Sequence, residues 1–256
     1  MTTIQIIKTT LLAFVALFGM QTIKAAERFV NFNQGDLLLN PQKQVTITTD
    51  EADFKAVDIA VHALAADFGR VTGQDAVLQH QADAKIIVGT IGHSKFIDQL
   101  AKKKLIDATQ LKGKREKFII TTVGKQLIIA GSDRRGTVYG IYELSAQMGV
   151  SPWYYWADVP TERHEEIYVN QGIYTDGEPA VAYRGIFLND EAPCLSTWIK
   201  NTFGTNYADH HFYERVFELV LRLKGNMMWP AMWGWSFYAD DTANEKTAKD
   251  MGAVMS

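Results

Sequence analysis

Apolar residues recur along this chain at two spacings, and the switch between them sets out its elements. Phe54, Val57, Val61, Leu64 and Phe68 return every three or four positions, which is the period of one buried helical stripe. Asp50 stands before that run as its expected N-cap, and Gly69 and Gly73 close it. Residues 28–32 and 44–48 read as short strands ahead of the helix, and residues 85–88 as a strand ended by Gly89. A shorter helix is predicted from His93 into the run Lys102, Lys103, Lys104, whose charges mark a solvated helix end. Residues 116–123 and 126–130 are two β-rich runs around Gly124-Lys125, and glycine at the first turn position predicts a type II′ hairpin. The stretch G-S-D-R-R-G-T-V-Y-G (residues 131–140) then leads into a helix through about Met148, and residues 165–170 return as a strand.

The last third of the chain carries a different unit. Y-R-G-I-F-L-N-D-E (residues 183–191) is an apolar run that ends in an amide and two carboxylates. Without polar alternation, residues 185–188 read as a strand buried on both faces. Asp209 caps an amphipathic helix over residues 210–224, with Tyr213, Val216, Phe217, Val220 and Leu223 inward and Glu218 and Arg222 paired outside. Gly225 stops it, and N-M-M-W-P-A-M-W (residues 226–233) forms a second apolar run. Strand, helix and strand in that order imply a parallel βαβ unit, whose ligand groups gather where the strands end. Asp240-Asp241 is placed to cap a last helix through Met251.

Composition narrows the class. The 256 residues are 47% hydrophobic with a net charge of -3, which excludes an electrostatic case for nucleic acid or an anionic membrane. Cys194 is the single cysteine, so no intrachain disulfide forms, and a half-buried structural thiol is expected. Lys8, the apolar run over residues 11–20 and the small residues Ala25 and Ala26 follow the order of a secretory signal peptide, with Ile23 and Lys24 imperfect for cleavage. Export with cleavage near residue 26 is the expectation. The Gly-rich turn at residues 131–136 fails as a phosphate loop, because Thr137 and Val138 stand where lysine and a hydroxyl residue are needed. A tight turn capping a helix fits it. All six tryptophans lie between Trp153 and Trp235, and Trp153 and Trp156 are expected in an interdomain core beside a polar joint over residues 172–179. The neighbours His210 and His211 should diverge around the helix start and cannot share one metal.

Four motifs in order resemble glycoside hydrolase family 115, the xylan α-1,2-glucuronidases. They are G-S-D-R-R-G-T-V-Y-G-I-Y-E-L-S, G-V-S-P-W-Y-Y-W-A-D-V-P, Y-R-G-I-F-L-N-D-E and L-R-L-K-G-N-M-M-W-P-A-M-W. The resemblance runs from about Val45 to the end. It implies an N-terminal α/β domain with a mixed sheet and helices (residues 27–178), followed by the first βα units of a (β/α)8 barrel (residues 179–256). The sequence stops before the later strands, where the family places its acid and base candidates, so the front part of a longer enzyme is expected and this piece alone should be inactive.

The implied reaction removes glucuronic acid or its 4-O-methyl ether from xylan with inversion. Inversion needs one carboxylic acid on the leaving oxygen and a second carboxylate, roughly 6.5–9.5 Å away, to activate water. Asp190 and Glu191 are neighbours on extended chain and diverge, so they are not that pair by themselves. Asp190 is the catalytic candidate. Asn189 and Glu191 are candidates to bind substrate, with Trp229 and Trp233 matching the aromatic end of the second barrel strand. No metal and no cofactor is implied. The partner is a polysaccharide or oligosaccharide (glucuronoxylan), not nucleic acid or membrane, with a homodimer of the full-length enzyme left open. A hexosaminidase-like hydrolase and a non-catalytic carbohydrate-binding fragment are the competing readings.

Overall fold

A computed structural model describes residues 28–189, 192–230 and 233–256. In chain order the first elements are β1 (Val30–Asn31), β2 (Leu37–Leu38), β3 (Thr46–Thr48), α1 (Lys55–Thr72), β4 (Val77–Gln79), β5 (Ile86–Thr90) and α2 (Lys95–Lys102). They are followed by β6 (Phe118–Val123), β7 (Gln126–Gly131), α3 (Arg134–Gln147), β8 (Tyr168–Val169) and β9 (Ile173–Tyr174). The last group is β10 (Gly185–Leu188), α4 (Cys194–Phe203), α5 (His210–Arg222), β11 (Met227–Pro230), α6 (Ala243–Met251) and β12 (Val254–Met255). The result is a mixed α/β fold with several sheets.

The largest sheet runs β4-β3-β5-β7-β6-β9. Its β3, β4, β5 and β7 are parallel, while β6 pairs antiparallel with β7 and with β9. Strand period explains why these strands read as unbroken apolar runs. Ile86, Val88, Phe118, Ile120, Leu127 and Ile129 enter the core under α1 and α3. The intervening Ile87, Ile119, Ile128 and Ala130 enter a second core with Phe96 and Ile97 of α2. The hairpin turn has Gly124 at φ 59, and Lys125 is not left-handed, as a type II′ turn requires.

The glycines after β7 serve close packing. The Asp133 carboxylate accepts from Gly136 N at 2.8 Å, capping α3. A Cβ on Gly136 would sit 2.3 Å from the Lys117 carbonyl oxygen. The turn is therefore pressed on the neighbouring backbone, leaving no open cradle for a phosphate.

Several expectations are corrected. Asp50 does not cap α1, whose N-cap is Phe54 without a side-chain bond. Its carboxylate accepts instead from Lys95 N at 2.7 Å, so it serves the first residue of α2. The polar joint contains β9, which adds to the edge of the large sheet. Two helices, α4 and α5, fill the space between β10 and β11 where one was expected. Trp156 is half-buried, tilted against Trp198 and edge-on to Phe212, but Trp153 is exposed, as is Cys194. Leu223 is exposed and Arg222 buried, the reverse of the helix-wheel reading.

The strands β10, β11 and β12 form a separate parallel sheet, with Gly185 opposite Met227 and Met228 opposite Met255. The βαβ order thus delivers parallel strands. β10 is not buried on both faces: Gly185, Ile186 and Phe187 are exposed. The helices cover one side of this sheet, where Met228 is buried, and no described element covers the other. A single apolar core nevertheless runs from Phe29 through α1 and α3 into α5 and Ala253, so the two segments are packed as one body.

Candidate functional site

At the carboxyl end of the parallel sheet the last pair in register is Leu188 with Pro230. One step earlier, Phe187 faces Trp229 across the ladder. Both side chains point away from the helices, each 55% exposed, with ring centroids 5.6 Å apart and planes at 81°. That is the edge-to-face geometry that a ring quadrupole favours. Asn189 follows β10 and is exposed, and Trp233, beyond the end of β11, is 81% exposed. Trp235 is held by its indole N–H donating to the Asn206 carbonyl at 2.9 Å. An amide and exposed indoles can hold a pyranose by hydrogen bonding and ring stacking, but they transfer no proton at neutral pH. The two carboxylates that follow in the sequence, Asp190 and Glu191, lie outside the described residues. Phe187 was missed in the sequence. Its signal was the register: aligning the two runs by the polar residues that precede them, Arg184 and Asn226, puts it opposite Trp229.

The amino ends of the same strands are fixed by a buried carboxylate from the hairpin region. Glu116 is 1% exposed. It accepts from Arg135 Nε at 2.5 Å, Arg184 Nη2 at 2.7 Å and Asn226 Nδ2 at 2.8 Å. Burial pushes its pKa up, but the bonds from Asn226, Arg184 and Arg135 outweigh this and hold it below the ordinary value. Arg184 immediately precedes β10 and Asn226 immediately precedes β11, so one carboxylate pins the start of both strands. Arg184 N also donates to Asn226 Oδ1 at 2.9 Å, and the Tyr139 hydroxyl donates to the Gly225 carbonyl at 2.8 Å. Sequence reading missed this cluster, because its members are 19 to 110 positions apart.

A second buried pair joins α1 to α5. Arg222 reaches Asp67 with two nitrogens, at 2.8 and 3.2 Å, and Glu218 with its Nε at 2.9 Å. The Glu218–Arg222 pair therefore exists, but inside the molecule. At the start of α5, His210 and His211 do not diverge: their rings are 3.9 Å apart. His210 Nδ1 lies 2.7 Å from Asp241 Oδ2. That bond raises the imidazole pKa, and the same bond lowers Asp241 to about 2. Among the described residues no group of three or more His, Cys, Asp or Glu side chains is arranged to hold a metal.

A parallel sheet with ligand-type groups at its carboxyl edge, behind a packed α/β domain, has counterparts among glycoside hydrolases. The family model described as glycosyl hydrolase family 67 N-terminus matches residues 36–144, and that of glycosyl hydrolase family 115 matches residues 176–256. The chain is of the glycoside hydrolase class. Among solved structures it is similar to a family 115 4-O-methyl-alpha-glucuronidase with specificity for decorated arabinogalactans, at 36% identity and a TM-score of 0.78 over 86% of this chain. This chain belongs to glycoside hydrolase family 115 and spans 29% of that relative's length. A mutant Streptomyces plicatus beta-hexosaminidase in complex with product shares only the fold, at 13% identity and a TM-score of 0.52 over 89% of this chain and 43% of its own. No curated protein matches the chain.

Proposed function

We propose that the chain is the front part of an exported glycoside hydrolase that removes glucuronic acid or 4-O-methylglucuronic acid side chains from a plant polysaccharide, glucuronoxylan first. The observation that carries this reading is the 36% identity over 86% of the chain to a 4-O-methyl-alpha-glucuronidase. The parallel β10, β11 and β12 are the first strands of a (β/α)8 barrel, with Phe187 and Trp229 on its inner face. Asp190 is one carboxylate of an inverting pair or the group that orients it, and a second carboxylate from elsewhere in the protein stands roughly 6.5–9.5 Å away across the sugar. Asn189 and Glu191 hydrogen-bond the uronic acid, and Trp233 stacks on it or on an adjacent backbone sugar. The apolar run behind Lys8 directs export.

The test is to incubate the complete enzyme with 4-O-methylglucuronoxylan and with glucuronidated arabinogalactan, and to follow free uronic acid by chromatography. Proton NMR of the first turnover identifies the anomer. Release from xylan as the β anomer is expected. Release from arabinogalactan alone transfers the reading to that polymer, an α product removes inversion, and no release from either overturns it.

A further inference from the structure

A cleft of about 310 Å³ opens where α1, α3, α5 and α6 meet, away from the carboxyl edge of the parallel sheet. Ile59, Ala63 and Met251 give it apolar walls, and Glu214 and Asp250 bring carboxylates to it. At its inner side is Tyr142, 2% exposed. The Tyr142 ring is spoken for, since the Arg222 guanidinium stacks over it at 4.5 Å. Its hydroxyl makes no hydrogen bond with a described residue, and it is not sealed from the cleft. A hydroxyl held in that state can donate to a ligand in the cleft in place of water.

The chemistry of the lining defines that ligand. Burial raises the Tyr142 pKa, so the hydroxyl stays a donor. Arg215 is a second donor, while Glu214 and Asp250 are acceptors only. Glu218, also in the lining, is already engaged by Arg222, Arg215 and the Tyr154 hydroxyl. A ligand that meets all of these must offer both acceptors and donors around a small body with C–H faces. Vicinal hydroxyls on a pyranose do that. With Glu218 paired to Arg222 and Asp250 to Lys246, Glu214 and Arg215 are left to balance each other, so the lining is close to neutral and suits an uncharged sugar.

We propose that this cleft is a second saccharide site, taking one neutral pyranose unit of a polysaccharide backbone. It rests on the reading that the enzyme works on a polysaccharide, and it lets the protein hold the polymer at a point apart from the reacting uronic acid. Tyr142 donates to a ring or hydroxyl oxygen, Glu214 and Asp250 accept from vicinal hydroxyls, and Ile59 and Met251 cover the apolar face.

The experiment measures binding of xylotriose and of galactotriose to the complete enzyme by saturation-transfer NMR, with free glucuronate as the charged probe. It is repeated on Tyr142→Phe, which keeps the ring under Arg222, and on Glu214→Gln, an exposed change. At least one trisaccharide should bind about five to ten times more weakly in both variants, the loss expected for one hydrogen bond. The melting temperature and the kcat/KM on a short uronate-bearing oligosaccharide should stay at the parent values. Which trisaccharide responds identifies the backbone. Kd values unchanged in both variants, glucuronate binding that is sensitive to Tyr142→Phe, or a parallel fall in kcat/KM on the short substrate would each overturn the site. An enzyme without glucuronidase activity leaves the binding result readable, so the two proposals fail separately.

Discussion

Replacing Glu116 by glutamine tests whether the buried carboxylate holds the two segments together. Glutamine keeps the shape but offers one oxygen acceptor, and its NH2 would point at donors, since Arg135, Arg184 and Asn226 all donate to this position. Two guanidinium groups then lose their counter-charge in a site where the Glu116 side chain is fully buried. Removing one member of a buried pair typically costs about 3–5 kcal/mol. Arg135 and Arg184 keep some contact with water, so the lower end applies, about 3 kcal/mol, or a melting temperature roughly 6–12 °C lower. Thermal unfolding followed by circular dichroism measures it, with Lys55→Met as the control. The Lys55–Asp58 pair is as short, at 2.6 Å, but exposed, and its loss should hardly move the melt. The pH dependence gives a second readout. The folded pKa of Glu116 lies below its ordinary 4.5, so its contribution is complete above that value and is lost as pH falls through the folded pKa. Parent protein should therefore lose stability in acid more steeply than Glu116→Gln. A variant that melts within 2 °C of the parent (on the order of 1 kcal/mol or less), with the same acid profile, would refute the pinning argument.

Asp190→Asn in the complete enzyme should lower kcat/KM by at least about a hundredfold, with the melting temperature little changed; near-normal turnover returns Asp190 to a structural role. Trp233→Ala should raise KM with kcat nearly intact, because a stacking platform contributes alike to ground and transition states; a fall in kcat alone would contradict that. Stability that depends on His210 should be complete below its ordinary pKa of 6.5 and decline as pH rises through the raised folded value. Melts between pH 6 and 9 should show this decline in the parent and a flatter profile in His210→Asn, and identical profiles would remove the His210–Asp241 pair from the account.

Local signals settled what is local. The stripe from Phe54 to Phe68, the Gly124 turn and the cap at Asp209 follow from spacing and side-chain reach within four residues. So did the parallel pairing of β10 with β11, since chain order with intervening helices leaves few other topologies. The candidate site was read as a polar end on an apolar strand, and of its three polar residues Asn189 is described. Tertiary structure decided the rest, wherever a side chain had more than one partner within reach. Asp50 could serve either of two helices, and the approach of Lys95 gave it to α2. Arg222 belonged on an outer face by helical period, until Asp67 of α1 met it in the interior. Phe187 read as core because apolar runs without alternation are normally covered twice; its exposure beside Trp229 depends on which elements close over the sheet, a matter of assembly that no residue in the strand encodes.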